Sequence, residues 1–167
     1  MDDDPRSRRR SDYPVLRAVP LRWGDVDTYG HVNNVVHYAL MDTMINSWMG
    51  EQVGVDIRTG MSGFGVVVET GCRYFRELHF GGTPVLGLRL DRISHSSVVY
   101  EVGFFVDDPA AGREGDGSPV AVGRFVHVYV DHDTRRPVAV PALVRAALER
   151  LRPRQHNDRR TYDAGEA

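Results

Sequence analysis

The sequence has a single cysteine, Cys72, and no lysine among its 167 residues. One cysteine cannot form a disulfide within the chain, which favours a reducing compartment, and we expect a cytoplasmic protein. The lack of lysine excludes Schiff-base chemistry and any phosphate-binding loop that depends on lysine.

Three further features are missing, and each excludes a class of protein. No run of about 18 apolar residues is present, so we expect no segment that spans a membrane. The first residues, MDDDPRSRRRSDYP, contain no apolar core, so no secretory signal is expected. The net charge of -2 gives no general basic field, which argues against a binder of nucleic acid or of a membrane surface.

The composition that remains is that of an ordinary globular protein, with 41% apolar and 26% charged residues. The length suits one domain, which we expect over residues 13–151. The two ends, residues 1–12 and 152–167, are polar, rich in arginine and without period, and they are predicted to be disordered tails.

The hydrophobic periodicity predicts an α+β fold in which an antiparallel sheet wraps around one central helix. The helix is apolar over most of its circumference, which predicts burial, and Gly50 or Gly54 is expected to end it. The predicted order is a strand at 15–23, the helix at 34–49, strands at 64–78, 84–93, 97–106 and 119–131, and a short helix at 141–151.

The most informative stretch, residues 22–38, reads RWGDVDTYGHVNNVVHY. Asp25 and Asp27 lie in a loop that leads into the predicted helix, with Asn33 or Asn34 as its N-cap. A helix start presents unpaired N–H groups that can polarise a carbonyl, and a neighbouring carboxylate can act as base or nucleophile. This pairing suits acyl transfer, although aspartates in such loops are also common as turn and capping residues.

The same stretch does not predict a metal site. Its D-x-D-x-x-G pattern resembles the start of a calcium loop, but Tyr29 and Val36 occupy positions that require oxygen ligands. His31 and His37 are six residues apart and would not share a helix face. Since no third ligand cluster stands out in the sequence, zinc is not expected either.

These motifs resemble the hydroxybenzoyl-CoA thioesterase family, including its YbgC-like and FadM-like acyl-CoA thioesterases. The resemblance rests on Gly-Asp-Val-Asp at 24–27, Gly-His-Val-Asn-Asn at 30–34 and Tyr38. It extends over about residues 17–150, with weaker matches at 73–78 and 133–141 in the expected order.

The resemblance implies a hotdog fold and hydrolysis of an acyl-CoA to a carboxylic acid and free CoA, with no cofactor. The family's catalytic carboxylate matches Asp27, and its carbonyl-polarising amide matches the backbone N–H of Asn34. Four further residues would shape the turn and the pocket wall, namely Asp25, Gly30, His31 and Asn33. The resemblance leaves open whether Asp27 attacks the thioester or activates water.

The nucleotide of CoA requires donors for its phosphates. Arg92, His95 and Ser96 lie at a strand junction where the resembling enzymes often contact the nucleotide, and arginine suits phosphate because its donors form a planar fork. The alternative for all three is an ordinary polar hairpin turn.

Two other polar residues have structural interpretations. Glu69 and Arg73 are four residues apart on one predicted strand, and the spacing favours an ion pair between them. Cys72 is interpreted as a small, partly buried residue rather than a nucleophile.

Two alternative functions remain at this point. The enzyme could cleave acyl groups from an acyl carrier protein, whose phosphopantetheine thioester is the same. The protein could also be a non-catalytic acyl-CoA-binding hotdog protein. In each case an exposed sheet edge is an aggregation hazard that pairing of two edges removes. The resembling enzymes form dimers and often tetramers in this way, so we expect a homodimer or homotetramer.

Overall fold

Five antiparallel strands form one sheet in the order β1-β3-β4-β5-β2, with one long helix packed against it. The structure is a computed structural model that describes residues 4–56, 58–106 and 117–153. The elements are β1 (Val15–Ala18), α1 (Asn34–Val53), β2 (Phe64–Tyr74), β3 (Val85–Ile93), β4 (Ser97–Phe105), β5 (Ala121–Val130) and α2 (Ala142–Leu148).

The core lies between α1 and one face of the sheet. Met41 and Ile45 of α1 are fully buried, and β3 and β4 contribute alternate residues to the same cluster. The helix comes close to the sheet at Gly123 of β5, where a Cβ atom would lie 1.9 Å from the Met41 sulfur. A glycine is therefore required there for the helix to reach the sheet.

The predicted helix is confirmed, and it is longer than its periodicity indicates. It continues through Gly50 and ends at Gly54, which adopts the left-handed conformation with φ of 67°. Burial was predicted for most of the circumference of α1, but in the isolated chain only one face is covered, and Val35 is 63% exposed. In the described part of the chain, no helix combines the length and apolarity needed to cross a membrane.

The first strand is shorter than predicted. It ends at Ala18, and Val19 makes one further bond to the carbonyl of Pro84. Pro20 has no N–H to continue the ladder, and Trp23 then lies in a short 3-10 turn with 83% of its surface exposed.

Residues 4–12 form two 3-10 turns rather than the disordered tail that composition predicts. Arg8 pairs with Glu101 of β4, with Nε 3.0 Å from Oε1, and the Tyr13 hydroxyl donates to the same oxygen at 2.9 Å. Arg89 of β3 lies 3.2 Å from it as well. These contacts attach the segment to the sheet face opposite α1, while most of the predicted C-terminal tail, residues 154–167, lies outside the described residues.

Tyr13 is held in a shallow trough on that outer face. Gly87 of β3 and Gly103 of β4 are directly opposite each other in the ladder. A Cβ at Gly87 would lie 2.6 Å from the Tyr13 ring, and one at Gly103 would lie 2.7 Å from it. The paired glycines therefore leave the space that the buried ring fills.

The sheet has two distinct ends. At one end Tyr74, at the close of β2, pairs with Ala121 of β5, which in turn pairs with Phe104. At the other end Phe64, where β2 begins, pairs with Val130. The turn between β3 and β4 lies at this second end, since Ser97 pairs with Val128.

Candidate active site

The loop before α1 is a tight turn that its own backbone closes. The N–H of Asp27 donates to the carbonyl of His31 at 2.8 Å, and the N–H of Gly30 donates to the carbonyl of Asp27 at 3.1 Å. Gly30 has φ of 83°, which a residue with a side chain adopts only with strain. The turn therefore fixes where the Asp27 side chain points.

The Asp27 carboxylate is anchored through one oxygen. Oδ1 accepts from the backbone N–H groups of Tyr29, at 2.8 Å, and His31, at 3.2 Å. Oδ2 accepts no hydrogen bond from any of the residues that the structure describes. One oxygen is thus held in place while the other remains available to a water molecule or a substrate.

The start of α1 supplies the complementary group. Asn33 is the N-cap, and its side-chain oxygen accepts from the N–H of Val35 at 3.1 Å. The N–H of Val36 donates to the Asn33 carbonyl at 3.0 Å. The N–H of Asn34 has no acceptor within the described ranges, so it can donate to a bound molecule.

A pocket of about 500 Å³ brings these groups together. It lies between the Asp27 turn, the first turn of α1 and the chain that follows β2. Polar and apolar side chains share its wall, which consists of Asp27, His31, Val32, Asn34, His37, Tyr74, Phe75, Arg76, Glu77 and Leu78. The residue with the half-free carboxylate and the residue with the unpaired N–H thus line one cavity, and addition of an oxygen nucleophile to a polarised carbonyl requires such a pair of groups.

Asp25 has a structural environment. It is buried, with 4% exposure, and it accepts from the backbone N–H of Arg22 at 2.7 Å and from the Arg22 side chain at 2.9 Å. These bonds lower the pKa of the Asp25 carboxyl. Its carbonyl accepts from the N–H of Asn33 at 2.9 Å, so Asp25 links the two ends of the turn instead of lining the pocket.

His37 is a pocket residue whose role the sequence did not reveal. It is buried, its ring contacts Tyr74 edge-on at 5.0 Å, and burial lowers its pKa. Nδ1 lies 3.2 Å from the carbonyl oxygen of Asn33, which can only accept, so Nδ1 carries the proton. Its position three residues after Asn34 could have indicated this location, because residues three apart lie on the same side of a helix.

Arg92 lies near the end of β3, and His95 and Ser96 lie in the turn between β3 and β4, so all three are at the strand junction that the sequence predicted. The carbonyl of His95 accepts from Val140, and that of Ser96 accepts from Tyr129, so the turn is part of the fold. None of the three lines the pocket around Asp27, because this turn is at the other end of the sheet.

The predicted ion pair between Glu69 and Arg73 is wrong. Glu69 pairs instead with Arg124 of β5. Four residues along a strand span roughly 13 Å, whereas the neighbouring strand lies about 5 Å away. Cys72 is half-buried as predicted, and burial raises the pKa of its thiol to about 11, which keeps it protonated at neutral pH.

Comparison with known proteins places this arrangement. The family model of the thioesterase-like superfamily matches residues 21–148. The PA5185 protein of Pseudomonas aeruginosa strain PAO1 is 40% identical, with 87% of this chain and 96% of that chain covered and a TM-score of 0.76. A search of curated proteins found no match.

Two further solved structures are similar. A thioesterase from Thermus thermophilus, in complex with coenzyme A and Zn, is 25% identical over 84% of this chain and 95% of that chain, with a TM-score of 0.67. The PA2801 protein of Pseudomonas aeruginosa is 29% identical over 81% of this chain and 98% of that chain, with a TM-score of 0.68.

A five-stranded antiparallel sheet that packs against one long helix, with a carboxylate turn at the helix start, defines a hotdog-fold enzyme, and the predicted fold is confirmed. The chain belongs to the thioesterase-like superfamily. It is a thioester hydrolase.

Proposed function

We propose that the protein hydrolyses an acyl-CoA within the hydroxybenzoyl-CoA thioesterase family, with Asp27 as its catalytic carboxylate. The observation that carries the proposal is a pocket that Asp27 and Asn34 both line, while Oδ2 of Asp27 and the N–H of Asn34 have no partner among the described residues. The Thermus thermophilus thioesterase that holds coenzyme A supports CoA as the thiol half of the substrate.

The proposed reaction begins with the thioester carbonyl against the Asn34 N–H. In one route Asp27 takes a proton from water, whose oxygen adds to the carbonyl carbon. In the other route the Asp27 carboxylate adds directly, and water later hydrolyses the anhydride. In both routes the carbonyl oxygen gains negative charge that the N–H stabilises, the C–S bond breaks, and CoA leaves as the thiolate and takes up a proton.

Residues for the nucleotide are proposed at the other end of the sheet, at Arg92, His95 and Ser96. The nine residues of β4 separate the two ends, which is a span of roughly 30 Å. A substrate bound to both regions of one chain would have to cross the sheet. The separation is removed if the two regions come from different chains.

A homodimer through β2 supplies this arrangement. β2 is an edge strand, and Val67 and Val68 on it are 48% and 56% exposed. In a two-fold dimer the two β2 strands pair antiparallel, so the Tyr74 end of one meets the Phe64 end of its partner. The pocket of one chain then adjoins the partner's end that carries the β3–β4 turn. We also propose a cytoplasmic location, in line with the single thiol.

The test is the Asp27→Asn variant beside the wild type and a matched Asp4→Asn control. Asp4 is exposed in the N-terminal segment, and asparagine keeps the oxygen that accepts from the N–H of Arg6. Release of free thiol is measured with short, long and aromatic acyl-CoAs and with the same acyl groups on an acyl carrier protein. We expect kcat to fall at least about a hundredfold in Asp27→Asn and to stay unchanged in Asp4→Asn.

Unchanged turnover in a folded Asp27→Asn variant would refute the catalytic assignment. Faster hydrolysis of the acyl carrier protein thioester than of the acyl-CoA would identify acyl carrier protein as the substrate. Tight acyl-CoA binding by the wild type without any thiol release would identify a binding protein instead.

A further inference from the structure

A cluster of two histidines and one glutamate lies at the wall of the Asp27 pocket. The Nε2 atoms of His31 and His79 lie 3.3 Å and 3.4 Å from Oε2 of Glu77. The three side chains each offer one ligand atom, and these atoms are all within 4.8 Å of one another. The fold fixes this proximity, since His31 and His79 form an antiparallel bridge through their backbones.

Two of the three distances between the ligand atoms fit a tetrahedral metal site. Zinc binds imidazole nitrogen and carboxylate oxygen at about 2.0–2.2 Å, which places neighbouring ligand atoms of a tetrahedron about 3.3–3.6 Å apart. Both nitrogen-to-oxygen distances of the cluster lie within that range. The ligand atoms of the two histidines lie within 4.8 Å of each other, so a cation would draw the two rings together by at most about 1.5 Å.

The ring of His79 is already oriented as a ligand. Its Nδ1 lies 3.3 Å from the carbonyl oxygen of Gly30. A carbonyl can only accept, so Nδ1 donates to it, and Nε2 is the ring nitrogen that faces Glu77 and can bind a cation when it carries no proton. A backbone carbonyl that holds the second nitrogen is a frequent companion of metal-binding histidines.

His31 is positioned by the catalytic turn itself. Its backbone N–H donates to Oδ1 of Asp27 at 3.2 Å, and its ring packs edge-on against that of His79 at 5.1 Å. His31 and Glu77 also line the pocket. A cation held by them would lie at the pocket wall, with a fourth position open to water or to an anionic oxygen of a bound molecule.

We infer that His31, Glu77 and His79 form a binding site for a divalent transition-metal ion of the zinc type. Two imidazole nitrogens and one carboxylate favour zinc over magnesium and calcium, which prefer all-oxygen sites. The sequence did not indicate this site, because only the fold brings Glu77 and His79 close to His31.

The test is calorimetric titration of tag-free, metal-stripped full-length protein with zinc chloride. We compare the wild type with Glu77→Gln and His79→Gln, which keep the side-chain size, and with a His132→Gln control. His132 is a half-buried histidine whose Nε2 lies 3.1 Å from the carbonyl of Met61, outside the cluster. Circular dichroism shows that each variant is folded.

We expect one zinc ion per wild-type chain with micromolar or tighter affinity, unaffected by millimolar magnesium. The affinity should fall at least tenfold in both cluster variants and stay unchanged in His132→Gln. Cobalt(II) should give the visible absorption of a four-coordinate site in the wild type, and this band should be lost in His79→Gln. None of these measurements depends on thioesterase activity.

Two results would overturn the inference. One is a wild-type protein that binds no zinc at micromolar concentration. The other is zinc binding that is equal in the wild type, Glu77→Gln and His79→Gln, which would place the ion elsewhere in the chain.

Discussion

His127 on β5 is a buried ionisable side chain outside the proposed catalytic pocket. It is 4% exposed, and its ring lies edge-on to the rings of Tyr100 at 5.5 Å and Phe125 at 5.4 Å. Burial lowers its pKa to about 4, and the charge of Asp42 opposes the shift only in part. The folded protein therefore holds this imidazole neutral through the weakly acidic range.

The consequence is a loss of stability in acid. Between pH 6.5 and about 4 the unfolded chain takes up a proton at His127 that the folded chain does not. The free energy of unfolding therefore decreases as the pH falls through this window, and the part due to His127 is about 2 kcal/mol between pH 7 and pH 5. We expect the free energy of unfolding of His127→Phe to lack this decrease of about 2 kcal/mol, because phenylalanine retains an aromatic ring but takes up no proton.

Urea unfolding of both proteins at pH 7 and pH 5 measures the difference. Burial also lowers the pKa of His37, so some acid sensitivity remains in the variant. An equal decrease in the two proteins would show that His127 does not cause it.

At the scale of the elements, the contact between the N-terminal segment and the β3–β4 ladder is sensitive to a small change. A methyl group at Gly87 would lie 2.6 Å from the Tyr13 ring. We expect Gly87→Ala to lower the free energy of unfolding by about 1–3 kcal/mol, as overpacking does.

The matched control is Gly71→Ala on β2. A Cβ at Gly71 meets nothing within 4 Å, so this variant should be neutral or slightly more stable. Thermal or urea unfolding compares the two. If Gly87→Ala is as stable as Gly71→Ala, the ring of Tyr13 does not occupy the trough.

The sequence predicted the strands and α1 well because their alternation and helical spacing are local signals. The predicted end of β1 is too late, because the alternation of apolar residues continues past Pro20, where the ladder of hydrogen bonds stops. It assigned residues 4–12 to a tail, since their link to the sheet through Glu101 depends on a residue far along the chain. The exposed side of α1 was missed because apolar content alone does not show which face is covered.

The residues of the candidate site also differ in whether a local sequence signal indicates them. Asp27, His31 and Asn34 lie in one short stretch, and the structure places all three at one pocket. Tyr74 and Glu77 follow β2 and reach the pocket only through the sheet. No local pattern indicates such a contact, so these residues were not found as partners of Asp27.

For the whole molecule, the open edge of β2 is the feature that the single chain leaves unexplained. Its ladder with β5 shifts register between Val67 and Glu69, which leaves Val68 without a partner and 56% exposed. An exposed apolar edge strand presents unpaired backbone groups with which a strand of another chain can pair. The proposed two-fold dimer covers this edge.

We expect Val68→Lys to convert the dimer into a monomer of 18.8 kDa, because a charge would be buried at the paired edge. Leu143→Lys is the matched control, since Leu143 is 48% exposed on α2, away from β2. Sedimentation equilibrium distinguishes the two masses. A wild-type protein that sediments as one chain would contradict the dimer, and a dimeric Val68→Lys variant would place the interface elsewhere.

Tyr13 and the glycines at 87 and 103 also set a constraint on how this sequence can evolve. The ring occupies the volume that two side chains would fill, so the three positions can change only together. A relative with a larger residue at either glycine position should carry a smaller one in place of Tyr13. The N-terminal segment of such a relative would then need another contact with the sheet. Residues 87 and 103 of a relative therefore indicate whether its N-terminal segment packs on the sheet as it does here.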